Sequence, residues 1–410
     1  MNRIEIKNIG PIKEVDIELN KINVLMGPQS SGKSTIAKII SFCQWAEKRY
    51  LLDGEFKYDV REQLLEFHRL SDNYFYDNSS FTYETDFITI TYKGRKLKKS
   101  IRKKQTSKIY KKTKNIYIPS ERNFVSVIPN LSKYKETNDN IMSFVYDWFT
   151  AKRIFNNNNL LPVLNLGIQF YNKSENDNDI LLLHNKREIL LREGSSGLQS
   201  IIPLIVIIEH LTNYIYKNNV SNSVEEKDSL KNFLLKNITE ILDLSKYKDI
   251  AEIKLDEKDM KKLLFSYQRA KFLESYNSTN FIIEEPEQNL FPSTQRELIN
   301  YLFNKMNEER NHSLLLTTHS PYILYSINNC LMGYNIKDKI EKNEETDITN
   351  KKSWINPDMV SIWQVQDGKV VSVKDITTKT VTKHYFNEIT KDIMDEYFEM
   401  LSYYEYDSKN

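Results

Sequence analysis

Alternation opens the chain. In "NRIEIK" at 2–7 and "VDIEL" at 15–19 apolar residues occupy every second position, which predicts two strands with one buried face. "KINVLM" at 21–26 is a continuous apolar run, as expected of a strand buried on both faces. From Ser34 to Leu52, "STIAKIISFCQWAEKRYLL", apolar residues recur at helical spacing. The order is three strands and a helix, and a glycine-rich turn joins the last strand to the helix.

Residues 84–119 alternate again, with Lys93 and Gly94 at a turn, and predict a basic β-hairpin over that whole stretch. A helical pattern at 140–160, within an expected helical insertion of about 130–160, runs into four asparagines. "DILLLHNKREILL" at 179–191 reads as a second hairpin turning near Asn185, and it delivers the chain to "REGSSGLQS". A helix is expected from about 198 to 217, then charged helical sequence, so an inserted helical lobe is predicted over about 215–278. "NFIIEE" at 280–285 and "SLLLTTHS" at 313–320 read as buried strands flanking a helix, "TQRELINYLFNKMNEE". Strand, helix and strand in succession imply a parallel sheet with crossover helices. A hairpin plus helix over 355–405 ends the chain.

Composition narrows the class. The 410 residues, 40% hydrophobic and 12% aromatic, suffice for a packed core, and we expect one unit over 1–410. Lys plus Arg total 58 against 56 Asp plus Glu, so no global field advertises nucleic acid and any such role needs a local patch. The longest apolar run, "LQSIIPLIVIIEHL", is interrupted by Pro203, Glu209 and His210, so no membrane span is expected. The N-terminus lacks the apolar core of a secretion signal, and only Cys43 and Cys330 are present, which together point to a reducing cytoplasm.

The candidate chemistry lies at strand ends. Gly27, Gly32, Lys33 and Ser34 fit G-x-x-x-x-G-K-[ST], with Pro28, Gln29, Ser30, Ser31 and Thr35 completing the loop. Glycines let successive N–H groups turn toward phosphates, and the helix that follows adds its positive end. Lys33 would reach the terminal phosphates and Ser34 would ligate magnesium. In "FIIEEPEQNLFP", Glu284 is placed for the metal and Glu285 for the attacking water. His319, at the end of the next apolar strand, could hydrogen-bond the terminal phosphate or that water. Each has a plainer reading: an ordinary glycine turn, a solvated acidic pair, a structural histidine.

The order "GPQSSGKST", "SSGLQS", "FIIEEPEQNLFP", "TTHSPYIL" resembles the ABC-type ATPase heads of the RecF, OLD and SMC class, often catalogued as AAA-family ATPases of the OLD type. The resemblance implies an α/β P-loop NTPase: a mixed β-sheet core with flanking helices, an antiparallel β subdomain and an inserted helical lobe. It also implies ATP and magnesium, sandwiched between two heads in a homodimer. Ser195, Ser196, Gly197 and Gln199 match the signature segment that reaches the phosphate held by the other head, although "GSSG" also reads as a flexible hairpin exit. The sequence departs from the family in three places. The signature is not "LSGGQ", Glu284 stands where aspartate is commonest, and no glutamine obviously serves the coupling loop, where Glu121 or Arg122 of "IYIPSERNF" could substitute.

OLD nucleases carry a second catalytic domain, but Asp392, Asp395 and Glu396 here suit a charged amphipathic helix better than a metal site. A separate effector protein is therefore implied. Lys98, Lys99, Arg102, Lys103 and Lys104 of the basic hairpin could bind DNA or RNA, or could equally protect a sheet edge. Two functions remain open: an ATP-hydrolysing switch in DNA repair or phage defence, and a nucleotide-bound scaffold that holds an effector inactive.

Overall fold

The computed structural model describes residues 2–95, 98–128, 139–217, 275–340, 348, 350–381 and 384–407. Nearly all of the lobe expected at 215–278, and the first part of the insertion expected at 130–160, lie outside the described residues.

β1 (Asn2–Ile9) and β2 (Ile12–Leu19) pair antiparallel, and β3 (Ile22–Met26) is buried at every residue. α1 (Lys33–Asp53) follows, ending at Gly54, whose left-handed backbone donates its N–H to the Tyr50 carbonyl. β4 (Phe75–Glu84), β5 (Ile88–Lys93) and β6 (Lys98–Lys103) form a meander beside β1. β7 (Thr113–Ile118) and α2 (Asn140–Lys152), capped by the Asp139 side chain, come next. β8 (Leu161–Pro162), β9 (Gln169–Lys173), β10 (Asn178–Leu182) and β11 (Glu188–Leu190) make a separate antiparallel sheet in the order β11-β10-β9-β8. α3 (Ser196–Thr212), β12 (Ser278–Glu284), α4 (Pro292–Asn307), β13 (Ser313–Thr318) and α5 (Pro321–Ile336) follow, then β14 (Val360–Gln366), β15 (Lys369–Ser372) and α6 (Tyr385–Asp407).

The main sheet has the order β6-β5-β4-β1-β2-β15-β14-β3-β13-β12-β7. Its half around β3 is parallel: β14, β3, β13, β12 and β7 all run the same way. Those strands carry apolar residues on both faces because helices cover both. Val24, Leu316 and Ile283 pack with α2 to α5, while Leu25, Leu315 and Ile282 pack with α1. The stretch Ser196–Tyr216 spans 21 residues and is apolar enough to cross a membrane, yet its apolar window is 72% buried, as a core helix requires.

One expectation changes. The basic hairpin does not extend over 84–119: only β5 and β6 form it, and β7 joins β12 at the far edge of the sheet. The apolar "IYI" at 116–118 is buried beside β12, whereas Lys108 and Lys111 in the connection before it are exposed. The C-terminal hairpin is part of the sheet core, since β14 lies directly against β3. Its turn, Asp367 at φ 52° and Gly368 at φ 77°, has the left-handed pair that a tight two-residue hairpin uses.

Candidate functional site

Register brings the predicted residues together. Met26 of β3 stands opposite Thr318 of β13, and Thr317 opposite Glu284 of β12, so Gly27, His319 and Glu285 leave the sheet at one level. This is the carboxyl end of the parallel strands, where open α/β sheets place their ligands. The loop is built around glycine. Gly27 has φ 148° and a Cβ there would sit 2.2 Å from the Val365 carbonyl oxygen; Gly32 has φ 105° and would meet Ile12 at 2.3 Å. Ser30, at φ 57°, completes the curl. Ser34 is exposed at the start of α1 and Thr35 is buried. No side chain caps this helix, so its first N–H groups face the loop.

The Lys33 ammonium is folded into the loop, donating to the carbonyls of Gly27 (3.0 Å) and Pro28 (2.7 Å) and to Ser31 Oγ (3.3 Å). Burial pulls it down to about 8, against the opposing charges of Glu285, Glu287 and Glu284. His319 bridges the site: its Nδ1 is 3.5 Å from Lys33 Nζ and its Nε2 is 3.4 Å from Glu285 Oε1. Contact with His319 holds the Glu285 carboxyl below its ordinary range in spite of partial burial. Glu285 itself has φ 43°, a left-handed conformation unusual for glutamate and a mark of constraint at the turn. Glu284 is 6% exposed, and its Oε1 has no hydrogen-bond partner among the described residues. Burial, reinforced by that carboxylate, pushes the neighbouring Tyr117 phenol well up.

A buried carboxylate oxygen without a donor at the end of β12, on the sheet edge that carries the phosphate loop, suits magnesium, which is commonly held by few protein oxygens plus substrate phosphates. Among the described residues no group of three or more His, Cys, Asp or Glu could hold a metal alone.

Of the two coupling candidates, Glu121 is exposed and accepts from Ser120 Oγ at 3.0 Å. Arg122 is fully buried and spends its guanidinium on backbone: Nε on Ser200 (3.1 Å), Nη1 on Pro119 (3.3 Å) and Glu284 (2.9 Å), Nη2 on Glu285 (2.9 Å) and Pro286 (3.2 Å). It ties the acidic turn to α3. In the signature segment, Ser195 caps α3 by accepting from the Leu198 N–H at 3.4 Å, and Ser196 is exposed. The Gln199 amide donates to the carbonyls of Arg192 (2.9 Å) and Gly194 (3.0 Å). A Cβ on Gly197 would stand 2.8 Å from the Asn289 carbonyl oxygen, so the start of α3 packs closely on the acidic turn. These side chains form no hydrogen bond to Lys33 or Glu285 in the same chain.

Two residues at the site escaped the sequence reading. Glu287 accepts from Thr318 Oγ1 (2.8 Å) and the His319 N–H (2.6 Å), and Asn289, at φ 60°, donates to Ser200 Oγ (3.0 Å). The spacing Glu285-x-Glu287 was the signal for the first.

The basic residues do not form one surface. Pairing places Lys99 and Lys103 on the face of Tyr92 and Ile88, and Arg102 on the opposite face with Thr89; Lys104 lies beyond the strand. Lys99 donates to the carbonyls of Phe56 and Tyr58, each at 3.1 Å, and Lys104 faces Glu84 at 3.9 Å. Of Lys98 only the backbone, in β6, is described.

Residues 260–324, which hold the acidic strand and His319, match the model of the AAA ATPase domain. With the glycine loop, the acidic strand and the histidine strand in the parallel order β3-β13-β12, one conclusion follows. The parallel half of the sheet has the α/β architecture of a P-loop ATPase fold. Several solved structures align over most of this chain at low similarity. The SMC head domain from Thermotoga maritima shares 10% identity over 90% of this chain and 97% of its own, with a TM-score of 0.36. The Smc head with an extended coiled coil, bound to the C-terminal domain of ScpA, from Pyrococcus furiosus shares 10% over 96% and 99%, at 0.39. The recombination mediator RecF shares 12% over 90% and 97%, at 0.30. No curated protein matches the sequence.

Proposed function

We propose that this head binds and hydrolyses ATP with magnesium, and that ATP-driven pairing of two heads switches a DNA-related or phage-defence activity carried by a separate effector protein. The observation that carries the reading is the run Lys33, His319, Glu285, linked at 3.5 and 3.4 Å across the ends of three adjacent strands. Lys33 would exchange its loop carbonyls for the terminal phosphates. Glu285, kept ionised beside His319, would take the proton of the attacking water, and His319 would orient both. Magnesium, held by Ser34 and Glu284, would neutralise charge on the phosphates. The exposed Ser195 and Ser196 at the start of α3, which make no bond to their own chain's loop, support a signature that works on the phosphate of a second head. ATP would then favour the paired state and hydrolysis would release it.

Purified protein should turn over magnesium ATP, and Lys33→Ala and Glu285→Gln should each abolish turnover. Glu285→Gln should also accumulate a dimer with ATP but not ADP by light scattering. A monomer under those conditions overturns the pairing, and wild type that binds ATP without turnover, with or without nucleic acid, favours the nucleotide-held scaffold.

A further inference from the structure

We infer that Glu287 is a positioning residue that sets the placement of His319 against Glu285, a role that rests on the ATPase reading above. β13 ends at Thr318, so the parallel ladder does not reach His319; its last link to the acidic turn is the Glu285 N–H to the Thr317 carbonyl at 2.9 Å. Beyond that point side chains span the gap: Glu285 meets the His319 ring, and Glu287 holds the backbone. Glu287, two residues after Glu285 on the turn, reaches the end of β13 and accepts both the Thr318 hydroxyl at 2.8 Å and the His319 N–H at 2.6 Å through Oε1. Thr318 Oγ1 in turn accepts the Ser320 N–H at 3.0 Å, so the tether fixes the residues on both sides of His319.

The tether is an expensive one. Glu287 is half-buried, lies close to the like charge of Glu285, and its buried Oε2 has no hydrogen-bond partner among the described residues. A group needed only to fill space would not be a half-satisfied carboxylate. What it achieves is geometric: it holds the His319 backbone where the ring lies near both Lys33 and Glu285. Glutamine would keep the accepting oxygen, whereas alanine removes it and aspartate is one methylene too short.

The test uses the full chain and three variants, Glu287→Gln, Glu287→Ala and Glu287→Asp, the last guarding against an alanine variant that does not fold. Two readouts are taken: magnesium ATP turnover, and the rate at which diethyl pyrocarbonate modifies His319 in nucleotide-free protein, followed by peptide mass spectrometry. Alanine and aspartate should lower kcat about tenfold or more with KM for ATP within about twofold, and speed His319 modification several-fold, while glutamine stays near wild type on both. Equal loss in glutamine and alanine, wild-type turnover in aspartate, or unchanged His319 reactivity in alanine and aspartate would each overturn the inference. His319 modification requires no turnover, so a protein that fails to hydrolyse ATP sinks the functional reading while Glu287 is still judged.

Discussion

At the scale of single residues, two buried ionisable groups have consequences that can be measured. Arg122 has no exposed surface and donates to five backbone carbonyls, and burial lowers it only to about 10, so it remains a cation. Arg122→Ala strips those carbonyls of their donors inside the acidic turn and should cost about 3–5 kcal/mol in urea unfolding. A loss below about 1 kcal/mol would mean that the turn holds itself. Glu47, between Thr85 and Tyr83, is pushed up to about 7 by burial from an ordinary 4.5. Its folded state therefore keeps a proton that the unfolded chain releases above pH 4.5, and stability falls as pH rises from there through 7. Glu47→Gln should accordingly gain on the order of 2 kcal/mol at pH 8 and almost nothing at pH 4. Equal effects at both pH values would show that the carboxyl titrates alike in the folded and the unfolded chain.

Among the elements, legibility in the sequence followed burial. β3, β12 and β13 are buried on both faces, and their apolar runs announced them together with the carboxyl-end residues they carry. β4 went unread, because Tyr76, Asp77 and Asn78 break the alternation where its pairing with β1 slips register. β7 was assigned to the wrong partner: Ile116 pairs alongside Phe281, a neighbour 165 residues away that no local pattern reveals. Glu287 was not singled out in the sequence, and only the fold shows Thr318 and His319 in its reach. The basic meander is a matter of this scale too. β6 is an edge strand with basic residues on both faces, the arrangement that discourages edge-to-edge pairing. Neutralising Arg102, Lys103 and Lys104 together should leave duplex DNA affinity within about twofold and the salt slope within about one, while promoting self-association. A slope reduced by about three would restore the nucleic-acid surface.

For the molecule as a whole, the balance of buried titratable groups predicts acid sensitivity. Burial lowers His68 to about 3, and His210 and His312 to about 4, from an ordinary 6.5. These depressed values mean that the unfolded chain gains three protons near pH 6.5 that the folded chain refuses until about pH 4. Glu47 opposes them by one proton between pH 4.5 and 7, which leaves about two in favour of unfolding. Stability should then be nearly flat from pH 6.5 to 7, and should drop by roughly 2–3 kcal/mol per pH unit as pH falls from 6 toward 5. The three histidines sit in different places, His68 against Phe42 beneath α1, His210 on α3 and His312 at the entry to β13, so no local rearrangement relieves all of them. Thermal melts between pH 7.5 and 5 measure this directly. His68→Phe, which leaves an aromatic ring against Phe42, should flatten the slope by about a third to a half, and a wild-type melting temperature unchanged down to pH 5 would show that these rings take up protons in the folded state.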